Sequence, residues 1–185
     1  MNQPWTVAAQ IFSPAMSGGA MPMVTTPENM VWQVETYDLL MYNGGWVVSG
    51  DTLANNVVFH ALAVANGAST SHYKGGVHIL TGNGGAGTVS GNLKIGGRTF
   101  AGSYYWTGRL CEIAFWTAVL TAAEIRALAG GVSPKVIRPL ALKAYWPLWG
   151  TVLPEVDLGP NKIHAVGQGG SIPAAQHMGG SPMAL

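Results

Sequence analysis

Apolar and polar residues alternate along much of this chain, which is the pattern of strands that bury one face. In segment 108–116, one set of alternate positions begins at Cys111 and includes Ile113 and Phe115, and we expect it to face one side. The other set begins at Glu112. Similar runs, bounded by Gly, Pro, Asn and Ser, predict strands at 5–12, 30–36, 38–43, 46–50, 56–65, 71–82, 92–97 and 141–150. So many short strands indicate an all-β sandwich or barrel.

A single short helix is predicted at 122–129. Thr121 stands where the N-cap is expected, and Glu124 three residues later completes a capping box. Leu120 before the cap and Ile125 within the helix form a hydrophobic staple. The two glycines that follow residue 129 end the helix. Because the helix follows a long series of strands, it indicates a fold rather than a catalytic motif.

The pattern changes after the helix. Segment 132–139 has prolines near both ends and is predicted to be an extended linker. Segment 156–170 is predicted to be a loop with a short extended piece at 164–166. The last fifteen residues, 171–185, are mostly Gly, Pro, Ser, Ala and Met, and they predict an irregular tail.

The composition excludes some classes of protein. Charged residues make up 9% of the chain, against roughly 25% in an average soluble domain. The formal net charge is +1, and the absence of a basic patch argues against a nucleic-acid partner. The sequence contains neither an apolar run of about 20 residues nor a signal peptide, so we expect no membrane span and synthesis in the cytoplasm. The low charge fits two readings, a glycine-rich β protein with short surface side chains or a subunit buried in an assembly.

The order of the segments resembles a known family. VVFHALAVANGASTSHYKGGVHILTG (57–82), LKIGGR (93–98) and GRLCEIAFWTAVLTAAEIRAL (108–128) together resemble the laminin G-like, or concanavalin A-like, jelly-roll domains. LKAYWPLWG and VDLGPNKIHAVG (142–167) resemble a stretch that this family usually has at its start. The resemblance implies a concanavalin A-like jelly-roll sandwich that is circularly permuted, or one whose last strands re-enter the sheet. We expect residues 1–131 to form the body and residues 132–185 to complete the same sandwich and end in the tail.

No catalytic or metal site is predicted with any specificity. Jelly-roll glycosidases that resemble this fold carry a strand motif E-x-D-x-E, which none of the eight carboxylates here form, so we predict no enzyme and no catalytic residue. The five histidines lack the spacing of zinc ligands. The resemblance leaves calcium as the one cofactor to consider, and the loop residues Asp51 and Asp157 would be its ligands. The glycine-rich segment 83–87 has no phosphate-binding motif and is predicted to be a turn.

Tyr104, Tyr105 and Trp106 form the densest aromatic cluster in the sequence. Such residues stack on sugar rings, anchor protein interfaces, or pack beneath loops, and the sequence leaves all three roles open. We take these three residues as the candidate binding or interface site.

The function expected from these observations is that of a non-enzymatic structural protein of a virion. Some phage-encoded relatives resemble the arrangement of this chain, and a virion protein reaches the outside of a cell without a signal peptide. We expect a capsid decoration (cement) or tail-surface protein of a phage, made in the host cytoplasm and located in the virion. Its partners would be the major capsid or tail protein and further copies of itself. The alternative is a lectin module that binds a glycan.

Overall fold

The computed structural model describes residues 2–14, 19–26, 30–89, 91–98, 104–148 and 155–166. Within them the strands are β1 (Trp5–Phe12), β2 (Met21–Thr25), β3 (Val31–Glu35), β4 (Asp38–Tyr42), β5 (Trp46–Val48), β6 (Val58–Ala65), β7 (Thr70–Lys74), β8 (Val77–Gly82), β9 (Lys94–Ile95), β10 (Gly97–Arg98), β11 (Tyr104–Tyr105), β12 (Arg109–Trp116) and β13 (Leu142–Trp146). The helix α1 is Ala122–Ala129, and a 3-10 turn covers Pro134–Val136.

The strands form two antiparallel sheets and a small ribbon. Sheet A has six strands in the order β13-β12-β1-β6-β7-β8, and sheet B has five in the order β5-β4-β3-β2-β9. Strands β10 and β11 form the ribbon. The prediction of an all-β sandwich of concanavalin A-like type with one short helix is confirmed.

The main core lies between the inner faces of the two sheets. Alternate residues of each strand point into it, as the two-residue period of a strand requires. Sheet A contributes Trp5, Ile11 and Phe115, and sheet B contributes Trp32 and Met41, all of them at most 1% exposed. Each buried side chain of this size contributes about 1.5–3 kcal/mol of transfer free energy, so this layer is the main source of stability.

A second apolar layer covers the outer face of sheet A. Ile125 and Leu128 of α1 pack with Ala8, Leu62 and Trp116 from the outward positions of three neighbouring strands. Strands β1, β6 and β12 are therefore buried on both faces. An eight-residue helix is too short to be stable alone in water, so this packing stabilises α1.

The helix begins and ends where its local chemistry predicts. Thr121 is the N-cap, its side chain accepts a hydrogen bond from the Glu124 backbone N–H, and the Glu124 carboxylate accepts one from the Thr121 backbone N–H. Leu120 and Ile125, the predicted staple, are both buried in the outer layer. Gly130 caps the C-terminus. The predicted helix at 122–129 is confirmed.

Residues after the helix contribute to sheet A. Strand β13 pairs with β12, which also pairs with β1. The predicted extended linker at 132–139 is wrong in part, because Ser133 accepts a hydrogen bond from the Lys135 N–H and starts the 3-10 turn. The buried Ile137 follows, and its carbonyl accepts a hydrogen bond from Trp116 Nε1 at 2.7 Å. The predicted tail at 171–185 lies outside the described residues.

Three strand predictions need correction. Segment 92–97 is not one strand, because Gly96 takes a positive φ between β9 of sheet B and β10 of the ribbon. Segment 71–82 is a hairpin of β7 and β8 rather than one strand, because Gly75 and Gly76 take positive φ and turn the chain. Strand β2 was missed because Pro22 argues against a strand. A bulge at Met23 places Pro22 opposite Gln33 and Val24 opposite Trp32, which accommodates the proline inside sheet B.

A second bulge corrects the expected facing of β12. The single residue Ala9 of β1 stands opposite two residues, Glu112 and Ile113, and Glu112 takes a φ of 53°. Cys111 therefore lies on the opposite face from Ile113, on the side of Gln10. The Gln10 side-chain oxygen accepts a hydrogen bond from the Cys111 thiol at 3.6 Å. The perfect alternation expected at 108–116 is interrupted at this point.

Candidate functional site

The outer face of sheet B differs from that of sheet A. Trp32 and Val34 of β3 point into the main core, so Val31, Gln33 and Glu35 point outward. Their cross-strand partners on β4, and the residues of β5 that pair with β4, extend this face to the edge of the sheet. They are Asp38, Leu40 and Tyr42 on β4 and Trp46 and Val48 on β5. The helix α1 packs on the other sheet, and the ribbon β10–β11 lies beside β2. Val31 and Gln33 are 2% and 1% exposed, so the open part of this face lies toward β4 and β5. We call the whole surface the outer B face.

An aromatic pair lies at the edge of the outer B face. Tyr42 and Trp46 are cross-strand partners in the β4–β5 hairpin, and their ring centres are 5.1 Å apart with planes tilted by 50°. Trp46 remains 49% exposed. A large aromatic ring that is held by a neighbour and still half open to solvent can stack on a flat ligand.

A row of hydrogen bonds begins near this pair, at Gln33, and leads to the far end of the β3–β4 hairpin. Gln33 donates to the Glu35 carboxylate at 2.7 Å and accepts from Arg98 Nη1 at 3.4 Å. Asp38, which stands opposite Glu35, accepts from the Ser49 hydroxyl at 3.4 Å. Gln33 is 1% exposed, whereas Glu35 and Asp38 are half-buried and can reach a ligand on this face. The face thus combines stacking rings with ordered polar groups.

The predicted cluster at 104–106 is divided by the fold. Tyr104 and Tyr105 form β11, and the guanidinium of Arg98 lies 4.6 Å from the Tyr104 ring centre. Tyr105 is 62% exposed, and its ring lies against Gly97. Trp106 instead is partly buried and packs against the main core. Only Tyr104, through Arg98 and Gln33, is connected to the outer B face.

Asp157 holds the last described segment against sheet A. Its side chain is fully buried and accepts three backbone N–H groups, those of Tyr145, Gly159 and Ile163, each at 2.7 Å. Its own N–H donates to His164 Nδ1 at 3.2 Å. The carboxylate oxygens are therefore engaged in fixing the segment 157–164 to β13.

The other calcium candidate, Asp51, lies elsewhere. It forms an ion pair with Lys74 on β7. Strands β13 and β7 are four positions apart in sheet A, about 19 Å at the usual strand spacing, so the structure does not bring Asp51 and Asp157 to one ion. In the part of the chain that the structure describes, no three His, Cys, Asp or Glu side chains are grouped as metal ligands would be.

The polar residues of β12 are engaged within the fold. Tyr145 donates to the Glu112 carboxylate at 2.6 Å, and burial together with this bond raises the pKa of Tyr145. Burial, with a smaller contribution from the charge of Glu112, raises the pKa of Cys111 to about 12. The thiol is therefore protonated near neutral pH and unreactive.

Sequence reasoning missed the aromatic pair at Tyr42 and Trp46. The signal was present as the segment YNGGW, in which a Gly-containing turn separates two aromatic residues. A hairpin at this turn makes Tyr42 and Trp46 cross-strand partners on one face. The three contiguous aromatics at 104–106 were easier to notice, yet adjacent residues of a strand point to opposite sides.

Comparison with solved structures supports the fold assignment. A protein of Bacteroides ovatus described as carbohydrate-binding superposes with a TM-score of 0.73 at 18% identity, over 88% of this chain and 51% of that one. This chain thus spans about half of that protein. Domain 4 of an extracellular arabinanase from Geobacillus stearothermophilus, solved with arabinotriose, gives 0.54 at 13% identity over 69% and 67%. At these identities the similarity shows the fold alone.

A phage protein has a similar fold. The enzymatically active domain of tailspike protein 2 of bacteriophage CBA120 gives a TM-score of 0.55 at 14% identity, over 78% of this chain and 26% of that one. No curated protein matches the sequence. No helix of the described residues is long and apolar enough to cross a membrane.

The family model agrees with the topology. The model Laminin_G_3, whose description is concanavalin A-like lectin/glucanases superfamily, matches residues 2–126. That range covers the strands from β1 to β12, which form all of sheet B and five strands of sheet A. The lectin-like jelly roll expected from the sequence is therefore confirmed, and the chain belongs to the concanavalin A-like lectin/glucanases superfamily.

Proposed function

We propose that this chain is a carbohydrate-binding module and that it binds glycan on the outer B face. Trp46 and Tyr42 would stack on one ring of an oligosaccharide. Glu35 and Asp38 pair at the other end of the β3–β4 hairpin, about 14 Å from Tyr42 at the usual rise of a strand, and would accept hydrogen bonds from a ring farther along the ligand. The observation that carries the proposal is the half-exposed Trp46 ring, 5.1 Å from Tyr42. Sugar sites commonly combine a mostly apolar surface with a few ordered polar groups.

The comparisons support this choice among functions. Two proteins of similar fold are described as carbohydrate-binding or were solved with an oligosaccharide. The family description includes both lectins and glucanases. We propose binding without hydrolysis, because the sequence lacks the E-x-D-x-E strand motif expected of jelly-roll glycosidases.

The test is a glycan array followed by calorimetry with the best ligand. Trp46→Ala should weaken binding at least tenfold, which is about 1.4 kcal/mol, since a stacking ring is lost. Tyr105→Ala is the matched control, because it removes an exposed aromatic from the ribbon. Loss of binding in Tyr105→Ala with no change in Trp46→Ala would contradict the proposed surface. Turnover of the ligand that is abolished by Glu35→Gln would contradict the non-enzymatic assignment.

A virion location is a second candidate, favoured by the fold of the phage tailspike protein and by the 9% charge content. Apolar side chains are exposed on the edge strands β5 and β8, among them Val48 and Val77, and they would suit contact with a capsid or tail protein or with a further copy. Mass spectrometry of purified particles tests this candidate. A fixed, high ratio to the shell protein is expected, and absence from the particles would rule it out.

A further inference from the structure

The β4–β5 hairpin carries the aromatic pair and is held by a loop from the opposite sheet. The glycine-rich loop 83–87 follows β8 of sheet A and lies against the turn at 43–45. The Gly45 N–H donates to the Gly84 carbonyl at 3.0 Å, and the Gly87 N–H donates to the Asn43 carbonyl at 2.8 Å. The Asn43 side-chain amide donates a hydrogen bond to the Gly87 carbonyl at 3.1 Å. Three hydrogen bonds thus connect the two loops.

Glycine permits this close approach of two backbones. A Cβ at Gly85 would lie 2.8 Å from the Gly44 carbonyl carbon, and one at Gly87 would lie 2.6 Å from the Asn43 carbonyl oxygen. Gly85 also takes a φ of +77°, which L side chains rarely adopt. The loop composition that suggested a simple turn is therefore required by contact with the hairpin.

Two further contacts fix the same hairpin. Val47, which follows Trp46, is buried, and its carbonyl accepts a hydrogen bond from His72 Nε2 at 3.2 Å. On the far side of the loop, Gln3 donates to the carbonyls of Gly85 and Gly87, both at 3.1 Å. Strand β5 has three residues and pairs only with β4 within the described residues, so these contacts add to a weak attachment.

From this geometry we infer that loop 83–87 is a clasp that positions Trp46 against Tyr42, and that Asn43 and Gly85 are positioning residues for the glycan site. The positioning of the Trp46 ring follows from the contacts described above. The expected effect of the clasp on glycan affinity rests on the proposed function. A stacking ring that is free to rotate loses affinity, because the ligand must then order it. The clasp holds the ring before the ligand arrives.

The experiment compares Gly85→Ala with Gly131→Ala. Both place a methyl group at a positive φ, but at Gly131 (+92°) the methyl would meet nothing within 4 Å, whereas at Gly85 it meets the hairpin. The first readout is the Trp46 indole N–H signal in a ¹⁵N-labelled protein without ligand, assigned through Trp46→Phe. It should shift or broaden in Gly85→Ala and stay unchanged in Gly131→Ala. The second is the Kd for the best glycan, at a temperature where both variants are folded. It should rise about tenfold in Gly85→Ala only.

The outcomes separate the clasp from the proposed function. An indole signal that moves no more in Gly85→Ala than in Gly131→Ala would overturn the clasp, whether or not a glycan binds. An indole signal that moves as expected in a protein that binds no glycan would support the clasp and contradict the proposed function. Should Gly85→Ala not fold, Gln3→Ala replaces it, with the same expected change in the Trp46 signal. It removes both bonds to the outer side of the loop, together with the bond that Gln3 accepts from the Gly67 N–H.

Discussion

The outer faces of sheets A and B share the same strand geometry but differ in their side chains and in whether a helix packs on them. On sheet A the outward positions beneath α1 are apolar, including Leu62 and Trp116, and the helix packs on them. On sheet B the outward positions include Gln33, Glu35 and Trp46, and no described helix packs on them. Packing of α1 makes the outer face of sheet A part of the core, whereas on sheet B the β4–β5 side leaves Trp46 exposed and Glu35 and Asp38 half-buried.

The largest effect is expected from removing strand β13 and the part of the outer layer of sheet A that follows α1. We propose that residues 132–166 complete the same folding unit, so a fragment that ends at Gly131 loses strand β13 and the buried side chains of Ile137, Leu142 and Tyr145. At about 1.5–3 kcal/mol for each buried side chain, the loss is comparable with a typical total stability of about 5–15 kcal/mol. The exposed edge of β12 should also promote aggregation.

Thermal unfolding and size-exclusion chromatography test this expectation. The control is a fragment that ends at Val166 and keeps all the described residues. We expect cooperative unfolding in the control and none in the shorter fragment. A monomeric fragment 1–131 with a cooperative transition would show that the two parts are separate units.

Acid should destabilise the fold through two buried histidines, one of which, His72, bonds to the hairpin that carries Trp46. Burial lowers the pKa of His72 to about 4, against the opposing effect of its bond to Val47, and burial lowers the pKa of His60 to about 4 as well. Both folded-state values lie below the usual 6.5, so the unfolded chain takes up protons that the folded chain excludes. Stability should be unaffected above pH 6.5 and fall from there toward pH 4, by about 3 kcal/mol for His72.

Urea unfolding between pH 7.5 and 4.5 measures this slope. Thr52→Ala, at an exposed loop position, changes no titratable group and should leave the slope as it is in the wild type. His72→Gln should make the slope shallower. If His72→Gln and the wild type lose stability in parallel, His72 is not the group responsible.

A smaller effect is expected at the helix cap. Thr121→Ala removes the side chain that accepts the Glu124 N–H and should cost about 1 kcal/mol. Thr52→Ala, at an exposed threonine in a loop, is the control and should change the free energy of unfolding by less than about 0.5 kcal/mol. Equal unfolding curves for the two variants would show that the cap contributes nothing to the cover of sheet A.

The elements that the sequence predicts correctly are those whose bounds depend on residues close together in the chain. The bounds of α1 follow from Thr121, Glu124 and the two glycines, all within ten residues of sequence, and strand β1 follows from one mostly apolar run bounded by turn residues. Strand β2 was hidden because the bulge that accommodates Pro22 depends on its pairing with β3. Long-range pairing is not encoded in any one segment.

The candidate site escaped prediction for the same reason. Arg98 reaches Gln33 across 65 residues of sequence, and loop 83–87 reaches Asn43 across about forty. The alternation of β3 indicates that Gln33 and Glu35 share a face, but it does not indicate whether a helix covers that face. Only the assembled sandwich shows that the polar pair and the aromatic pair of Tyr42 and Trp46 share one partly open face.

The proposed function requires that the glycan bind on the outer B face. The most direct test is a titration of ¹⁵N-labelled protein with the best glycan from the array, following the indole N–H signals. The signal of Trp46 should move in proportion to occupancy, while those of the fully buried Trp5, Trp32 and Trp116 stay in place. A saturable titration in which Trp46 stays fixed and the backbone signals of Tyr104 and Tyr105 move would place the site on the ribbon and contradict the account.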